Sequence, residues 1–305
     1  MAIIPSFFMD AVVSLGVKDP NMAGRKIWVG TGFLVGRKET TDPTKSTIYI
    51  ITNKHVVENQ SILYVRFNQV GNKGVEDLPM PLISEKGKPL YSMHPNMAVD
   101  IVAIQIVPIV ILLRNLELGV FDLSDHAVTL SQMKETGIYE GSLVYALGFP
   151  MNLVHEFIKA PICRLGCVAR VADAFVNPKN ATQFLVDAQT FPGNSGGPII
   201  SRPESITIQG TPMNSKANLI GILSAYIPYR ETLYSRQSGR SRMVQEENSG
   251  LTIVHPVDRI KEVVELEWQR NEDKKAKAKQ QQTEKPIEKH FTGEIIHDSE
   301  NEKND

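Results

Sequence analysis

The sequence predicts an all-β protein with the architecture of a barrel or a sandwich. Short segments rich in β-branched and aromatic residues recur along the 305 residues, and turn-forming Gly, Pro, Asn and Asp separate them. Many short strands with such spacing are typical of antiparallel β folds. Helical periodicity is scarce outside the C-terminal region. The content of 42 % hydrophobic and 22 % charged residues indicates a globular protein, and the length allows one large domain or two.

Strand candidates follow one another from the N-terminus. In the first half, segments dense in β-branched and apolar residues span 11–17, 27–36, 46–52, 62–67 and 99–107. In the second half, shorter segments of the same kind span 142–150, 163–171, 183–186, 198–200, 219–226 and 250–254. The most apolar run, 101–113, is too short to cross a bilayer and is predicted to be a buried strand.

One helix is predicted near the C-terminus, over 256–268. Apolar side chains recur there at helical spacing after a proline, namely Val257, Ile260, Val264 and Trp268. Residues 269–305 are mostly Lys, Glu, Gln and Asn with one aromatic residue. Because such a segment cannot bury enough apolar surface to fold, 269–305 is predicted to be a disordered tail.

Charge and cysteine content limit the partners and the compartment. The formal net charge of -1 gives no reason to expect nucleic acid or a membrane surface as a partner. The N-terminus has no Lys or Arg before Lys18, which does not match a signal peptide. The two cysteines, Cys163 and Cys167, are too far apart along a predicted strand to form a disulfide within it. We expect both to be reduced core residues of a cytoplasmic protein, as in a bacterium.

Residues 191–200 contain one serine, Ser195, among three glycines and two prolines, followed by an apolar run. Glycine reaches positive φ and proline fixes φ, so this composition suits a tight turn that holds Ser195 forward. Such a turn can present a nucleophile and point neighbouring N–H groups toward an oxyanion. An ordinary glycine-rich turn has the same pattern, so the interpretation depends on residues elsewhere.

A serine nucleophile needs a base, and the base needs a group that orients it. Of the seven histidines, His55 directly follows a predicted buried strand and therefore lies on a rigid edge. Asp100 stands at the head of another predicted buried strand. Either residue alone would be an ordinary core, surface or capping residue, whereas the three together fit a catalytic triad.

Six motifs occur in a single order along the chain. They are Gly-Thr-Gly-Phe-Leu-Val at 30–35, Ile-Thr-Asn-Lys-His-Val-Val at 51–57, Asp-Ile-Val-Ala-Ile at 100–104, Tyr-Ala-Leu-Gly-Phe-Pro at 145–150, Pro-Gly-Asn-Ser-Gly-Gly-Pro at 192–198 and Gly-Ile-Leu-Ser at 221–224. Over 8–268 the chain resembles trypsin-like serine peptidases, and most of all the protease domain of the HtrA/Deg group. The resemblance implies two antiparallel six-stranded β-barrels, 1–125 and 126–268, with the active site in the cleft between them.

The resemblance also implies the role of each site residue. His55 and Asp100 would come from the first barrel and Ser195 from the second. His55 would act as general base and then general acid, Asp100 would orient it, and Ser195 would attack the scissile carbonyl. The backbone N–H groups of Gly193 and Ser195 would form the oxyanion hole. The expected function is a serine endopeptidase that acts on protein or peptide substrates through an acyl-enzyme, without a metal or cofactor.

The chain departs from the family at two points. Asn194 stands where zymogen-derived members have an acid, so activation by pairing with a newly cut N-terminus is not expected. HtrA-like members continue into a peptide-binding PDZ domain, whereas the polar segment 269–305 leaves no room for one. Control by such a domain is therefore not expected, and the sequence does not predict an oligomeric state.

The resemblance implies a specificity pocket walled by Gln189 and by Ser224, Ala225 and Tyr226. Because a buried cation opposite the neutral Gln189 would be poorly compensated, the pocket is expected to prefer small or medium aliphatic residues. Asp187 lining the pocket would instead favour Arg or Lys. Residues 227–247 are predicted to form a loop that carries four arginines, Arg230, Arg236, Arg240 and Arg242. This loop is either simply solvated and mobile, or it has a function. In the second case it gates the cleft or binds an acidic regulator or substrate segment.

Two other functions compete with this prediction. An α/β-hydrolase esterase also has a G-x-S-x-G pattern, but it needs a helix after the serine, where residues 198–200 indicate a strand. A non-catalytic binding protein on a peptidase scaffold is the second alternative, because function depends on the site rather than on the fold. A complete triad argues against it.

Overall fold

The computed structural model describes residues 4–283, except 41, 72 and 205–211. The chain divides into two compact units between Trp268 and Gln269. In this described part, no helix combines the length and the apolar character needed to cross a membrane. The predicted boundary between the barrels near residue 125 stays a prediction.

The N-terminal half forms one sheet of eight strands. They are β1 (Val12–Lys18), β2 (Lys26–Lys38), β3 (Ser46–Thr52), β4 (Ile62–Asn68), β5 (Val75–Pro81), β6 (Ser92–Met93), β7 (Val102–Ile106) and β8 (Phe121–Asp122). The strand order is β5-β4-β1-β2-β3-β7-β6, and β8 pairs in parallel with β2. The described pairings end at β5 and at the two-residue strand β6, so the predicted closure of this half into a barrel is not confirmed.

The C-terminal half is a closed barrel of six antiparallel strands, as predicted. They are β9 (Leu143–Gly148), β10 (Ile162–Arg170), β11 (Phe184–Asp187), β12 (Pro198–Ser201), β13 (Asn218–Tyr234) and β14 (Ser241–Pro256). The order around the barrel is β10-β11-β14-β13-β12-β9. The protein is therefore mostly β, with one closed barrel and a second sheet.

Six helices and a 3-10 turn complete the described elements. They are α1 (Ser6–Asp10), α2 (Lys54–Val57), α3 (Pro108–Leu113), α4 (Leu130–Glu135), the 3-10 turn Pro150–Asn152, α5 (Ala172–Val176) and α6 (Val257–Thr283). The predicted C-terminal helix exists, and its apolar side chains at Val257, Ile260 and Val264 are buried.

The prediction of disorder from residue 269 onward is wrong for 269–283, because α6 continues to Thr283. This stretch is rich in Lys, Gln and Ala, which have favourable helix propensities. A pair one turn apart, Glu272 and Lys275, adds a 2.8 Å contact between opposite charges. The rest of the predicted tail, 284–305, lies outside the described residues.

Three apolar clusters organise the first unit. One lies within the N-terminal sheet around Leu34 and Ile50, and another fills the C-terminal barrel around Val186 and Ile220. The largest joins both halves and packs side chains from both sheets and α6, including Phe33, Tyr49, Ile101, Leu147, Ile222 and Val257. Since burial stabilises by about 25 cal/mol per Å² of apolar surface, this shared cluster stabilises the packing of the two halves against each other.

Three local predictions need correction. The apolar run 101–113 is a strand only to Ile106, because Pro108 begins the helix α3. Cys163 and Cys167 are free thiols as predicted, but Cys163 is exposed and Cys167 half-buried, so they are not core residues. Both lie on β10, whose residues from Ile162 to Cys167 are only exposed or half-buried.

The third correction concerns 227–247, which is not a loop. Strands β13 and β14 stay paired from Pro228 and Asn248 to Tyr234 and Ser241, forming a long hairpin arm. Both strands of the arm contain β-branched or aromatic residues together with charged ones, and most of their side chains are exposed. A cross-strand contact of 2.7 Å joins Arg230 to Glu246.

Candidate active site

The candidate active site begins where β3 ends. Asn53 is extended, with φ −83° and ψ 154°, and it occupies the position before α2, the short helix that carries His55. The Asn53 side-chain amide donates a hydrogen bond of 2.6 Å to the backbone carbonyl of Asp100. The end of β3 and the start of β7 are therefore tied together before either functional side chain is considered.

The carboxylate of Asp100 accepts hydrogen bonds from several sides. Its Oδ1 accepts from the backbone N–H groups of Lys54 at 2.8 Å and His55 at 3.3 Å. Its Oδ2 lies 2.6 Å from Nδ1 of His55 and accepts from the Ser224 hydroxyl at 3.1 Å. This arrangement directs Nδ1 of the imidazole toward Asp100 and leaves Nε2 as the nitrogen for proton transfer.

The same contacts control the charge of Asp100. Burial raises the pKa of this carboxyl, but hydrogen bonds and charge from His55, with a smaller contribution from Ser224, outweigh burial, so the net pKa is lowered. Asp100 is therefore ionised at neutral pH. An ionised carboxylate stabilises the imidazolium that forms when His55 takes a proton.

Ser195 directly follows a turn, 191–194, whose third position requires glycine. Asn194 N–H donates to the Phe191 carbonyl at 3.0 Å, closing the turn, and Gly193 has φ +98°. Positive φ at the third position of such a turn is the feature of a type II turn, with Pro192 at the second position. A Cβ on Gly193 would also lie 2.4 Å from the Phe149 carbonyl oxygen. The turn therefore has the composition that the sequence predicts.

The structure gathers the three predicted triad residues around Ser224. The Ser195 hydroxyl donates to the Ser224 carbonyl at 3.3 Å, while the Ser224 hydroxyl donates to Asp100. Attack on a substrate requires the Ser195 hydroxyl to turn toward His55. Hydrogen bonds of this kind often form fully only once substrate is bound.

The residues predicted for the specificity pocket differ in their exposure to solvent. Ser224 is buried and serves the Asp100 network, while Ala225 is exposed and Tyr226 half-exposed on β13. Gln189 is exposed after the end of β11, and Asp187 is exposed at that end, paired with Leu251 of β14.

Two side chains hold Asp100 in ways that sequence reasoning did not predict: Ser224 was expected only in the specificity pocket, and His255 was not singled out. The Ser224 hydroxyl binds the Asp100 carboxylate, and Nε2 of His255 accepts the Asp100 backbone N–H at 3.0 Å. Ser224 lay within a motif that was recognised, whereas His255 had no local signal. Within the described ranges, no three His, Cys, Asp or Glu side chains are grouped to hold a metal ion.

Comparisons with known proteins give the family. Residues 30–205 match the trypsin-like peptidase domain. Comparison with curated proteins yields no match.

Similarity extends to several solved structures. The chain is 17 % identical to a serine endoprotease from Yersinia pestis, with a TM-score of 0.44, covering 85 % of this chain and 63 % of that one. It is 16 % identical to the MamO protease domain from Magnetospirillum magneticum, with a TM-score of 0.42, covering 83 % and 95 %. For the HtrA-type protease AlgW the identity is 16 % and the TM-score 0.42, covering 86 % and 65 %. The chain thus spans less than two thirds of the first and third of these proteins.

The family match covers more than half of the chain, and it includes all three residues predicted to form the triad. The predicted resemblance to trypsin-like peptidases is therefore confirmed at the level of the family. By this match the chain belongs to the trypsin-like peptidase family.

Proposed function

We propose that the protein hydrolyses peptide bonds through a Ser195–His55–Asp100 triad and an acyl-enzyme intermediate. The observation that carries this proposal is the 2.6 Å contact between His55 Nδ1 and Asp100 Oδ2, made by a carboxylate that Ser224 links to the nucleophile turn. A binding scaffold would not require an orienting carboxylate with this many partners. The geometry supports a base held ready for proton transfer.

The chemistry follows from the positions of these groups. Nε2 of His55 takes the Ser195 hydroxyl proton as Oγ attacks the scissile carbonyl carbon. The N–H groups of Gly193 and Ser195 stabilise the resulting oxyanion. The imidazolium then donates its proton to the leaving amine, and the acyl-enzyme is hydrolysed by water that His55 activates. Ionised Asp100 lowers the free energy of each state in which His55 is protonated and positively charged.

The proposed substrate is a protein segment with a small or medium aliphatic residue before the cut. Gln189 offers a neutral amide, and Tyr226 lies on β13, the strand that would pair with the substrate backbone. One methylene in an apolar pocket changes the activation free energy by about 1–3 kcal/mol, so the preference is graded rather than strict.

The hairpin arm, residues 227–247, is proposed to bind an acidic regulator or substrate segment. Its tip carries Arg236, Arg240 and Arg242, all exposed, with no acid between 235 and 242. Replacing the three by Gln should slow cleavage of acidic protein substrates and leave short neutral peptides unaffected. Unchanged cleavage of every protein substrate would contradict this role for the arm.

A fluorophosphonate probe tests the proposed function directly, because it labels only an activated serine. Wild type should be labelled, Ser195→Ala should not, and Ser201→Ala should be labelled as wild type. Ser201 is a suitable control because it is fully buried in β12, away from the proposed triad, and its hydroxyl oxygen accepts a hydrogen bond of 3.2 Å from Asn218 N–H. Folded wild-type protein that is never labelled and never cleaves a protein substrate would favour the non-catalytic scaffold.

A further inference from the structure

Thr31 of β2 is fully buried beside the nucleophile turn, and every one of its polar groups has a partner. Its backbone N–H donates to the Ser195 carbonyl at 2.9 Å, and its carbonyl accepts from the Thr52 hydroxyl at 2.8 Å. Its own hydroxyl donates to the Gly193 carbonyl at 2.6 Å and accepts from the Phe149 N–H at 3.0 Å. Because the Phe149 N–H can only donate, the Thr31 hydroxyl proton must point to Gly193.

These hydrogen bonds act on the turn that carries the oxyanion-binding N–H. The Gly193 N–H belongs to the same planar peptide unit as the Pro192 carbonyl, and the two point in opposite directions. Met151 N–H holds that carbonyl at 2.7 Å. Reversal of this peptide would convert the type II turn to type I and turn the Gly193 N–H away.

Thr31 holds both the turn that contains Gly193 and the segment that binds the Pro192 carbonyl. It holds the Gly193 carbonyl directly, and through the Phe149 N–H it places the segment that bears Met151. The backbone of Gly196 packs directly against the backbone of Thr31, since a Cβ on Gly196 would lie 2.1 Å from the Thr31 carbonyl oxygen. Neither segment therefore has room to shift easily. A single hydroxyl thus links the N-terminal sheet to two segments that border the nucleophile.

We propose that Thr31 is a positioning residue for the oxyanion hole, whose hydroxyl holds the 191–194 turn with the Gly193 N–H directed to the developing oxyanion. The proposal rests on the proposed peptidase function. The hydroxyl does not touch substrate, so its loss acts through Gly193. The oxyanion forms only after attack, so a displaced N–H affects kcat far more than KM.

The test compares Thr31→Val, which has nearly the same shape without the hydroxyl, with Thr31→Ser, which keeps it. Steady-state kcat and KM are measured on a peptide p-nitroanilide ending in Val, and Ki is measured for the matching peptide aldehyde, whose hemiacetal oxygen occupies the oxyanion hole. Ser201→Ala controls for the loss of a buried hydroxyl elsewhere in the barrel region.

We expect Thr31→Val to lower kcat about 10- to 100-fold, because loss of one complete oxyanion donor costs about 10²–10³. KM should stay within two-fold (about 0.4 kcal/mol), and the aldehyde Ki should rise by the same factor as kcat falls. Thr31→Ser and Ser201→Ala should keep kcat within about three-fold of wild type. If Thr31→Val does not fold, Thr31→Ala is measured in its place, with the same expectation.

Two results would overturn the proposal while leaving the peptidase function standing. One is a folded hydroxyl-free variant with kcat within two-fold of an active wild type. The other is a Thr31→Ser protein that loses as much kcat as the hydroxyl-free variant, which would assign the effect to packing. An inactive wild type would instead contradict the peptidase function itself.

Discussion

The backbone N–H of Asp100 donates a 3.0 Å hydrogen bond to Nε2 of His255, a histidine 155 residues further along the chain. Nδ1 of His255 lies 2.7 Å from the Thr182 carbonyl and is therefore the protonated nitrogen. Burial lowers the pKa of His255, and nearby His94 and Lys54 act in the same direction, against the Thr182 carbonyl and Asp100. The ring is thus neutral at neutral pH, which is the state that can hold Asp100.

The first prediction concerns the pH dependence of this support. Folding lowers the pKa of His255 below 6.5, its value in the unfolded chain. When the pH falls below 6.5, the unfolded chain takes up a proton on this histidine before the folded protein does. The contribution of His255 to the free energy of unfolding therefore decreases as the pH falls toward the folded pKa. The difference in unfolding free energy between wild type and His255→Gln should therefore shrink from pH 7.5 to pH 5. Urea denaturation at both pH values measures it, and an equal difference at both would contradict the prediction.

The second prediction concerns Asp100→Asn. An amide at this position can still accept from the N–H groups of Lys54 and His55, but it carries no charge to stabilise the imidazolium. We expect kcat to fall by about 10⁴-fold with little loss of folding stability. Single and double replacements of His55 and Ser195 by Ala should be equally inactive rather than additive. Asp100→Asn protein with near-wild-type turnover would remove Asp100 from the mechanism.

The third prediction concerns Lys159, which lies outside the active site. Its ammonium donates to the carbonyls of Asp10 at 2.5 Å and Val12 at 3.0 Å, and the residue is 3 % exposed. Burial lowers its pKa from 10.5 to about 8. Because the unfolded chain holds the proton up to a higher pH, stability contributed by Lys159 should rise as the pH increases from 8 to 10.5.

Comparison with Lys159→Met isolates this contribution. The difference in unfolding free energy between wild type and the variant should increase in favour of wild type by about 2–3 kcal/mol between pH 7 and pH 10.5. Guanidinium denaturation across this range provides the measurement. Parallel pH profiles for the two proteins would show that the lysine does not titrate as its burial implies.

The fourth prediction is that activity needs no cut near the N-terminus. Asn194 is 4 % exposed, and its side-chain nitrogen has no hydrogen-bond partner in the described part of the chain. A neutral amide cannot form the ion pair with a new N-terminal ammonium that an acid here would form. Full-length protein of verified intact mass should titrate with one active site per chain. Inert intact protein that becomes active on trimming within residues 1–12 would reverse this conclusion.

The fifth prediction concerns the residue before the cut. A peptide library should give cleavage after Ala, Val or Leu, and Gln189→Asp should raise kcat/KM for Arg and Lys peptides. Asp187→Asn is the matched control and should leave the profile unchanged. A wild-type profile dominated by Arg or Lys, lost in Asp187→Asn, would place the acid of Asp187 in the pocket.

Local patterns in the sequence were sufficient for much of this molecule. Segments rich in β-branched residues between turn residues predicted most strands of both halves, but not β5, β6 or β8. Glycines around Ser195 predicted a turn, and this turn has positive φ at Gly193. These features depend on residues within a few positions of one another. The helix end at Thr283 and the paired arm at 227–247 were predicted wrongly, because polar composition alone does not separate loop from solvated helix or strand.

The sequence by itself predicted most of the strands, the glycine turn before Ser195 and the three residues proposed here as a triad. Only the tertiary structure decided which strands close into a barrel and which groups hold the site, as with Asp100 and His255, 155 residues apart, and Thr31 and Gly193, 162 residues apart. A hydrogen bond across such a distance leaves no periodicity in the sequence, because its two partners meet only after both halves pack on their shared core.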